Sequence, residues 1–239
     1  MREREERKED KEIRIRRMRL AALISGGKDS SFAIYRALEE GHMVTDLITI
    51  VPENEDSYMF HSANIHLTGL ISEACGIPLT SVSSSGEKEK ELEDLKRALG
   101  SVEVDGVAVG AIASEYQASR VRGICDELGF TMYAPLWHNE PESLLREMIK
   151  LMDIRMIKVA AGGMDESWLG RRFDEKLIED MLALNRKYGV HLAGEGGEYE
   201  TLVLDAPYYK KRIDLLETEV VWTRDCGVMK VIRAELGEK

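Results

Sequence analysis

The chain has little of what several common protein classes depend on. Three cysteines stand among 239 residues, Cys75, Cys125 and Cys226, far apart and with no Cys-x-x-Cys pair. That spacing suggests neither a zinc knuckle nor a disulfide framework, and the thiols are expected to be reduced and partly buried. No apolar run approaches the ~20 residues of a membrane-spanning helix, and no apolar signal segment follows the charged N-terminus. A cytoplasmic location is the expectation. Positive charge is also in deficit. Asp and Glu outnumber Lys and Arg by 44 to 33, giving a net charge of -11. A broadly basic nucleic-acid surface is therefore disfavoured, although a local positive groove is not, and transfer RNA becomes a weaker substrate. One Gln and four Asn set against abundant Lys, Arg and Glu match the compositional drift of heat-adapted proteins. Neither the Gly-x-x-x-x-Gly-Lys-[Ser/Thr] phosphate loop nor the Gly-x-Gly-x-x-Gly dinucleotide fingerprint occurs.

What is present begins with Ser25-Gly26-Gly27-Lys28-Asp29-Ser30, placed between an apolar run at 20–24 and a helical pattern at 31–38. A strand, a glycine-rich turn and a helix start bring backbone N–H groups and the positive end of a helix dipole to one point, which suits an anion. Lys28 adds a point charge, and the hydroxyls of Ser25 and Ser30 add donors matched to phosphate oxygens. The ligand expected here is a nucleotide polyphosphate. The competing reading is a glycine-rich turn that binds nothing.

With 44% hydrophobic residues the chain can bury a sizeable core, as one large domain or two modest ones, and two are favoured. Residues 1–17, almost continuous charge of mixed sign, read as a solvated extension, a frayed helix or an over-long start site. Residues 18–132 alternate strand and helix: strands at 43–51, 79–82 and 106–112, and helices at 63–74, 87–99 and 115–128. Such alternation predicts a parallel, doubly wound Rossmann-like α/β sheet, with ligands bound beyond the carboxyl ends of the strands. Pro52-Glu53-Asn54 and Ala113-Ser114 would reach that crevice as nucleoside contacts. Residues 133–239 change pattern: helices at 141–152 and 174–188, a strand at 154–161, then β-like runs at 198–204, 213–223 and 228–235. A smaller C-terminal α+β domain for the substrate follows, its start lying between Gly129 and Trp137.

A second motif, Gly194-Glu195-Gly196-Gly197-Glu198-Tyr199-Glu200-Thr201, packs three glycines, three carboxylates and a tyrosine together. It would repel phosphate and attract cations or a metal; a solvated turn feeding the strand at 201–204 is an equally open reading. The first motif, Ser-Gly-Gly-x-Asp-Ser, resembles the PP-loop of the N-type ATP pyrophosphatases, which cleave ATP between the α and β phosphates. Both motifs together, with Ser57-Tyr58-Met59-Phe60-His61, Gly110-Ala111-Ile112 leading to Tyr116, Gln117 and Arg120, and Ala134-Pro135-Leu136-Trp137, resemble the diphthine–ammonia ligase family from Met18 to about Pro207.

That resemblance implies an enzyme that uses ATP and ammonium to amidate diphthine on translation elongation factor 2, releasing AMP and pyrophosphate. The chemistry fits the residues. A carboxylate has no good leaving group until it is adenylated, and ammonia can then displace AMP. In this reading Lys28, Asp29, Glu195 and Glu198 are catalytic. Ser25, Gly26, Gly27, Lys28, Asp29, Ser30, Pro52 and Ser114 bind ATP, and Asp29 assists Mg2+ or merely caps its helix. Glu195, Gly196, Gly197, Glu198, Tyr199, Glu200, Thr201, His61, Tyr116 and Arg120 meet the substrate. The three acids would bind or deprotonate ammonium, or balance the trimethylammonium of diphthine, with Tyr199 supplying an aromatic face. His61 is otherwise structural, Arg120 otherwise a surface ion pair, and Trp137 and Trp168 belong to the core or the domain interface. Two alternatives stand: a PP-loop tRNA-modifying enzyme, and a non-catalytic ATP- or AMP-binding regulator. A homodimer is the default assembly.

Overall fold

A computed structural model describes residues 17–52, 63–85 and 88–239. The expectations for the charged extension at 1–16, for Glu53 and Asn54, for the 57–61 motif with His61, and for the Gln117 side chain lie outside the described residues.

β1 (Arg19–Leu23), α1 (Lys28–Glu39), β2 (Met43–Pro52), α2 (Thr68–Cys75), β3 (Leu79–Ser84), α3 (Lys88–Leu99), β4 (Gly106–Ala108), α4 (Glu115–Leu128) and β5 (Thr131–Tyr133) make the first half. Their sheet has the order β3-β2-β1-β4-β5, all strands parallel. The central strands β1, β2 and β4 are largely apolar because both faces are covered, whereas the edge strand β3 carries Thr80, Ser81, Ser83 and Ser84. On one face Ala21, Ile48, Ile50 and Val107 pack on Leu95 and Leu99 of α3 and on Val121 and Ile124 of α4. The other face joins a larger core that includes Phe32 and Ile34 of α1. The strand order reverses beside β1, so the crevice between the carboxyl ends of β1 and β4 is the natural ligand site of this doubly wound fold.

The second half comprises α5 (Pro141–Leu151), β6 (Asp153–Val159), α6 (Glu175–Tyr188), β7 (Tyr199–Asp205), β8 (Arg212–Thr223) and β9 (Cys226–Gly237). These strands form an antiparallel sheet in the order β7-β6-β9-β8. Ile154, Met156, Leu202 and Val203 of this sheet share one core with Leu20, Phe32 and Ile71 of the first half, so the two sheets stand against each other through a common apolar interior.

Three details differ from the sequence-based reading. The strand expected over 106–112 ends at Ala108; the chain then leaves the sheet toward the carboxyl-end crevice, with Val109 N–H still donating to Tyr133 O at 2.9 Å. β5, for which no strand is expected, is three residues long, too short to show a periodicity. The helix expected over 63–74 is a 3₁₀ turn at Ile65–Leu67 followed by α2. It starts at Asn64, whose φ is 59°. The Asn64 amide donates to Met229 O at 2.9 Å and accepts from Val231 N–H at 2.8 Å, bonding β9 as a neighbouring strand would.

Candidate active site

The Ser25–Ser30 turn leaves β1 at its carboxyl end, with Gly26 at φ +85°, a conformation that side chains resist. Ser25 Oγ stands 3.4 Å from Ser30 Oγ and accepts from Gly27 N–H at 3.4 Å. The start of α1 is approached closely by Gly110. A Cβ there would lie 2.5 Å from Ser30 N and 2.6 Å from Asp29 C, so only glycine lets the two backbones meet.

The N-terminus of α1 is capped from the other end of the chain. Gly27 occupies the cap position with no side chain of its own, and Lys28 N–H instead donates to Thr201 Oγ1 at 3.0 Å. Val203 N–H donates to Gly26 O at 2.9 Å beside it. The two motifs, more than 160 residues apart, thus form one structure. Lys28 extends the junction. Almost wholly buried, its ammonium donates to Asp29 Oδ2 at 2.9 Å and to Ala193 O at 2.7 Å, and lies 4.9 Å from the centroid of the Tyr199 ring. Burial alone would lower the Lys28 pKa; the Asp29 carboxylate and the Tyr199 side chain outweigh it and hold the pKa above its ordinary value, so the ammonium stays charged.

The acidic motif is an ordered loop whose carboxylates have distinct partners. Glu198 accepts from His191 N–H at 3.1 Å and from Gly196 N–H at 2.8 Å, closing the loop on itself. Glu200 pairs with Lys158 of β6 at 2.7 Å. Glu195 reaches across to the segment that follows β4, where Oε1 accepts from Ile112 N–H at 3.2 Å. The Tyr199 hydroxyl donates to Leu192 O at 2.6 Å, and burial raises its pKa. Its ring faces the chain's own cation, Lys28, rather than open solvent.

One cavity opens between these pieces. Ser25, Gly27, Lys28, Asp29 and Ser30 line one side, and Glu195, Gly197, Tyr199, Glu200 and Thr201 another. Gly26, Pro52, Ser114, Gly196 and Glu198 are not among the lining residues. Nor are Tyr116 and Arg120, which lie together on α4, the guanidinium 3.8 Å from the ring centroid; the cavity face of that helix is Ala118 and Val121. Sequence reasoning missed the apolar wall of Ile48, Ile50, Val109 and Val121 in the same cavity as the anion-binding turn, a lining apolar enough to suit a purine ring. Their only signal is apolar character, in β2, just past β4 and on α4, which also describes ordinary core.

The donor set fits a nucleotide polyphosphate: a glycine turn, a helix N-terminus, a buried cation and an apolar slot converge on one cavity. Asp29 Oδ1 is buried and has no hydrogen-bond partner among the described residues, a position suited to a Mg2+ ion carried by the phosphates. Among the described residues no group of three or more His, Cys, Asp and Glu side chains could hold a metal unaided.

Residues 18–132 match the model of the diphthamide synthase N-terminal domain, and residues 140–236 match that of the diphthamide synthase C-terminal domain. The chain belongs to the diphthamide synthase family. Proteins named diphthine–ammonia ligase from Rattus norvegicus and Homo sapiens are each 40% identical over 228 residues, covering 85% of this chain and 85% of their own length. A protein of the same name from Saccharomyces cerevisiae is 33% identical over 81% of this chain but only 34% of its own. A solved structure described as a predicted subunit of tRNA methyltransferase from Methanocaldococcus jannaschii covers 80% of this chain and 98% of that one, with 15% identity and a TM-score of 0.46; so distant a likeness has no bearing on function. Among the described residues no helix is long and apolar enough to cross a membrane.

Proposed function

We propose that this protein is an AMP-forming ligase that amidates the carboxylate of diphthine on translation elongation factor 2, using ATP and ammonium. The observation that carries this reading is the joining of the phosphate-binding turn to the acidic loop through Lys28 and Thr201, in a chain of the diphthamide synthase family. One cavity can then hold a nucleotide and the group it activates. In the reaction the substrate carboxylate attacks the α phosphorus and pyrophosphate departs; ammonium gives one proton to the Glu195 carboxylate, the ammonia so formed attacks the acyl carbon, the nitrogen loses a second proton to solvent, and AMP leaves with the former carboxylate oxygen.

The residues divide the work. The backbone N–H groups from Ser25 to Ser30, the hydroxyls of Ser25 and Ser30, and the Lys28 ammonium hold the departing phosphates. Asp29 Oδ1 would hold Mg2+, which would spread the charge developing on the leaving pyrophosphate. Glu195 is the loop carboxylate facing the acyl centre. Glu198 shapes the loop, and Glu200 acts as a partner of Lys158. The apolar slot of Ile48, Ile50, Val109 and Val121 takes the adenine. Residues 18–132 form the nucleotide domain and residues 133–239 the substrate domain.

The test is AMP release from α-labelled ATP with magnesium, ammonium and diphthine-bearing elongation factor, each omitted in turn. AMP that appears only with the modified factor is the expected result. AMP formed without it, or none at all, would overturn the assignment.

A further inference from the structure

The Lys28 ammonium sits in a cage with the chemistry of an ammonium receptor. A carboxylate oxygen (Asp29 Oδ2, 2.9 Å), a backbone carbonyl (Ala193 O, 2.7 Å) and an aromatic face (Tyr199, centroid 4.9 Å) surround one buried nitrogen. Carboxylate, carbonyl and π-face are the groups that attract a desolvated cation. The cage is rigidly built: Tyr199 is held by its hydroxyl on Leu192 O, and a Cβ at Gly194 would come 2.9 Å from the Tyr199 ring. Lys28, Asp29, Ala193 and Tyr199 all line the candidate nucleotide cavity, so the cage opens where the acyl intermediate would form.

We propose that this cage is the binding site of the ammonium co-substrate, occupied here by the side chain that vacates it when nucleotide binds. The inference rests on the ligase reading. All three loop acids already have partners, Glu195 in Ile112 N–H, Glu198 in two backbone N–H groups and Glu200 in Lys158, whereas the present occupant of the Lys28 cage is itself an ammonium. Lys28 starts α1 beside the phosphate-binding turn, and the rotatable bonds of its four-carbon stem give the ammonium more than one reach from that position. A polyphosphate seated in the turn offers its ammonium a more strongly anionic partner than Ala193 O. The emptied cage then presents two oxygens and a ring face to a free ammonium ion. Ordered binding follows: nucleotide first, ammonium second.

The experiment follows thermal unfolding of the full chain in ammonium chloride against sodium chloride at matched ionic strength. For the wild type, ammonium should raise Tm by about 2 °C when α,β-methylene-ATP is present and not when it is absent. Lys28→Ala empties the cage permanently and should respond to ammonium without nucleotide. Tyr199→Leu, made in the Lys28→Ala background, should abolish that response, and Tyr199→Phe should restore it. The proposal is overturned if Lys28→Ala shows no preference for ammonium over sodium, if the wild-type response ignores nucleotide, or if the leucine variant keeps it. The Lys28→Ala measurement needs neither ATP nor elongation factor, so a failure of the ligase reading shows separately, as AMP release that does not depend on the modified factor.

Discussion

Single residues carry the tightest constraints around the cavity. A methyl group at Gly110 would collide with backbone atoms of Asp29 and Ser30, which cannot rotate away as a side chain could. Gly110→Ala should therefore weaken ATP binding at least tenfold, read by titration calorimetry, with far-UV circular dichroism little changed. Glu198→Gln keeps one carbonyl acceptor but aims an NH2 group at a backbone N–H it used to satisfy. We expect the rate of amide formation to fall at least tenfold while KM for ATP stays within about twofold; equal losses in both would show that Glu198 serves the nucleotide instead. Cys125 is almost fully buried, and burial pushes its thiol from an ordinary 9.0 up to about 11. The native state therefore holds this proton more tightly than the unfolded chain. Stability from this group is complete below pH 9 and is lost as pH rises from 9 toward 11. At neutral pH, iodoacetamide should modify the more accessible Cys226 well before buried Cys75 and Cys125.

At the scale of elements, the decisive contact is the cap on α1. The helix opens with Gly27 and would leave Lys28 N–H unsatisfied were Thr201 Oγ1 not there to accept it. Thr201→Val preserves shape and removes the acceptor, which should cost about 1 kcal/mol in urea unfolding and raise KM for ATP. A variant with unchanged ATP affinity would separate the cap from nucleotide binding. The elements themselves were largely legible in the sequence: α4 spans the expected residues, and α3 and α6 depart by one. What could not be read was how 109–112 and 63–67 run, because Gly110 answers to a contact with α1 and Asn64 to a contact with β9, both remote along the chain.

For the molecule as a whole, the two sheets unfold together if the core they share decides cooperativity. Phe32 and Ile71 from the first half and Met156 and Val203 from the second are buried in one cluster, so calorimetry should show a single transition; two resolved transitions would mean that the shared core is energetically weak. Asn64→Gly keeps the positive φ but releases both bonds to β9, and should lower stability by about 2 kcal/mol. The alternating strands and helices, the Ser25–Ser30 turn and the acidic loop were determined by local composition and spacing, since glycine placement, apolar periodicity and charge act over a few residues. The tertiary structure alone decided that Thr201 caps α1, that Lys28 lies against Tyr199 and Ala193, and that Glu195, Glu198 and Glu200 have three different partners. Those assignments depend on which surfaces the common core presses together, and no local pattern records that.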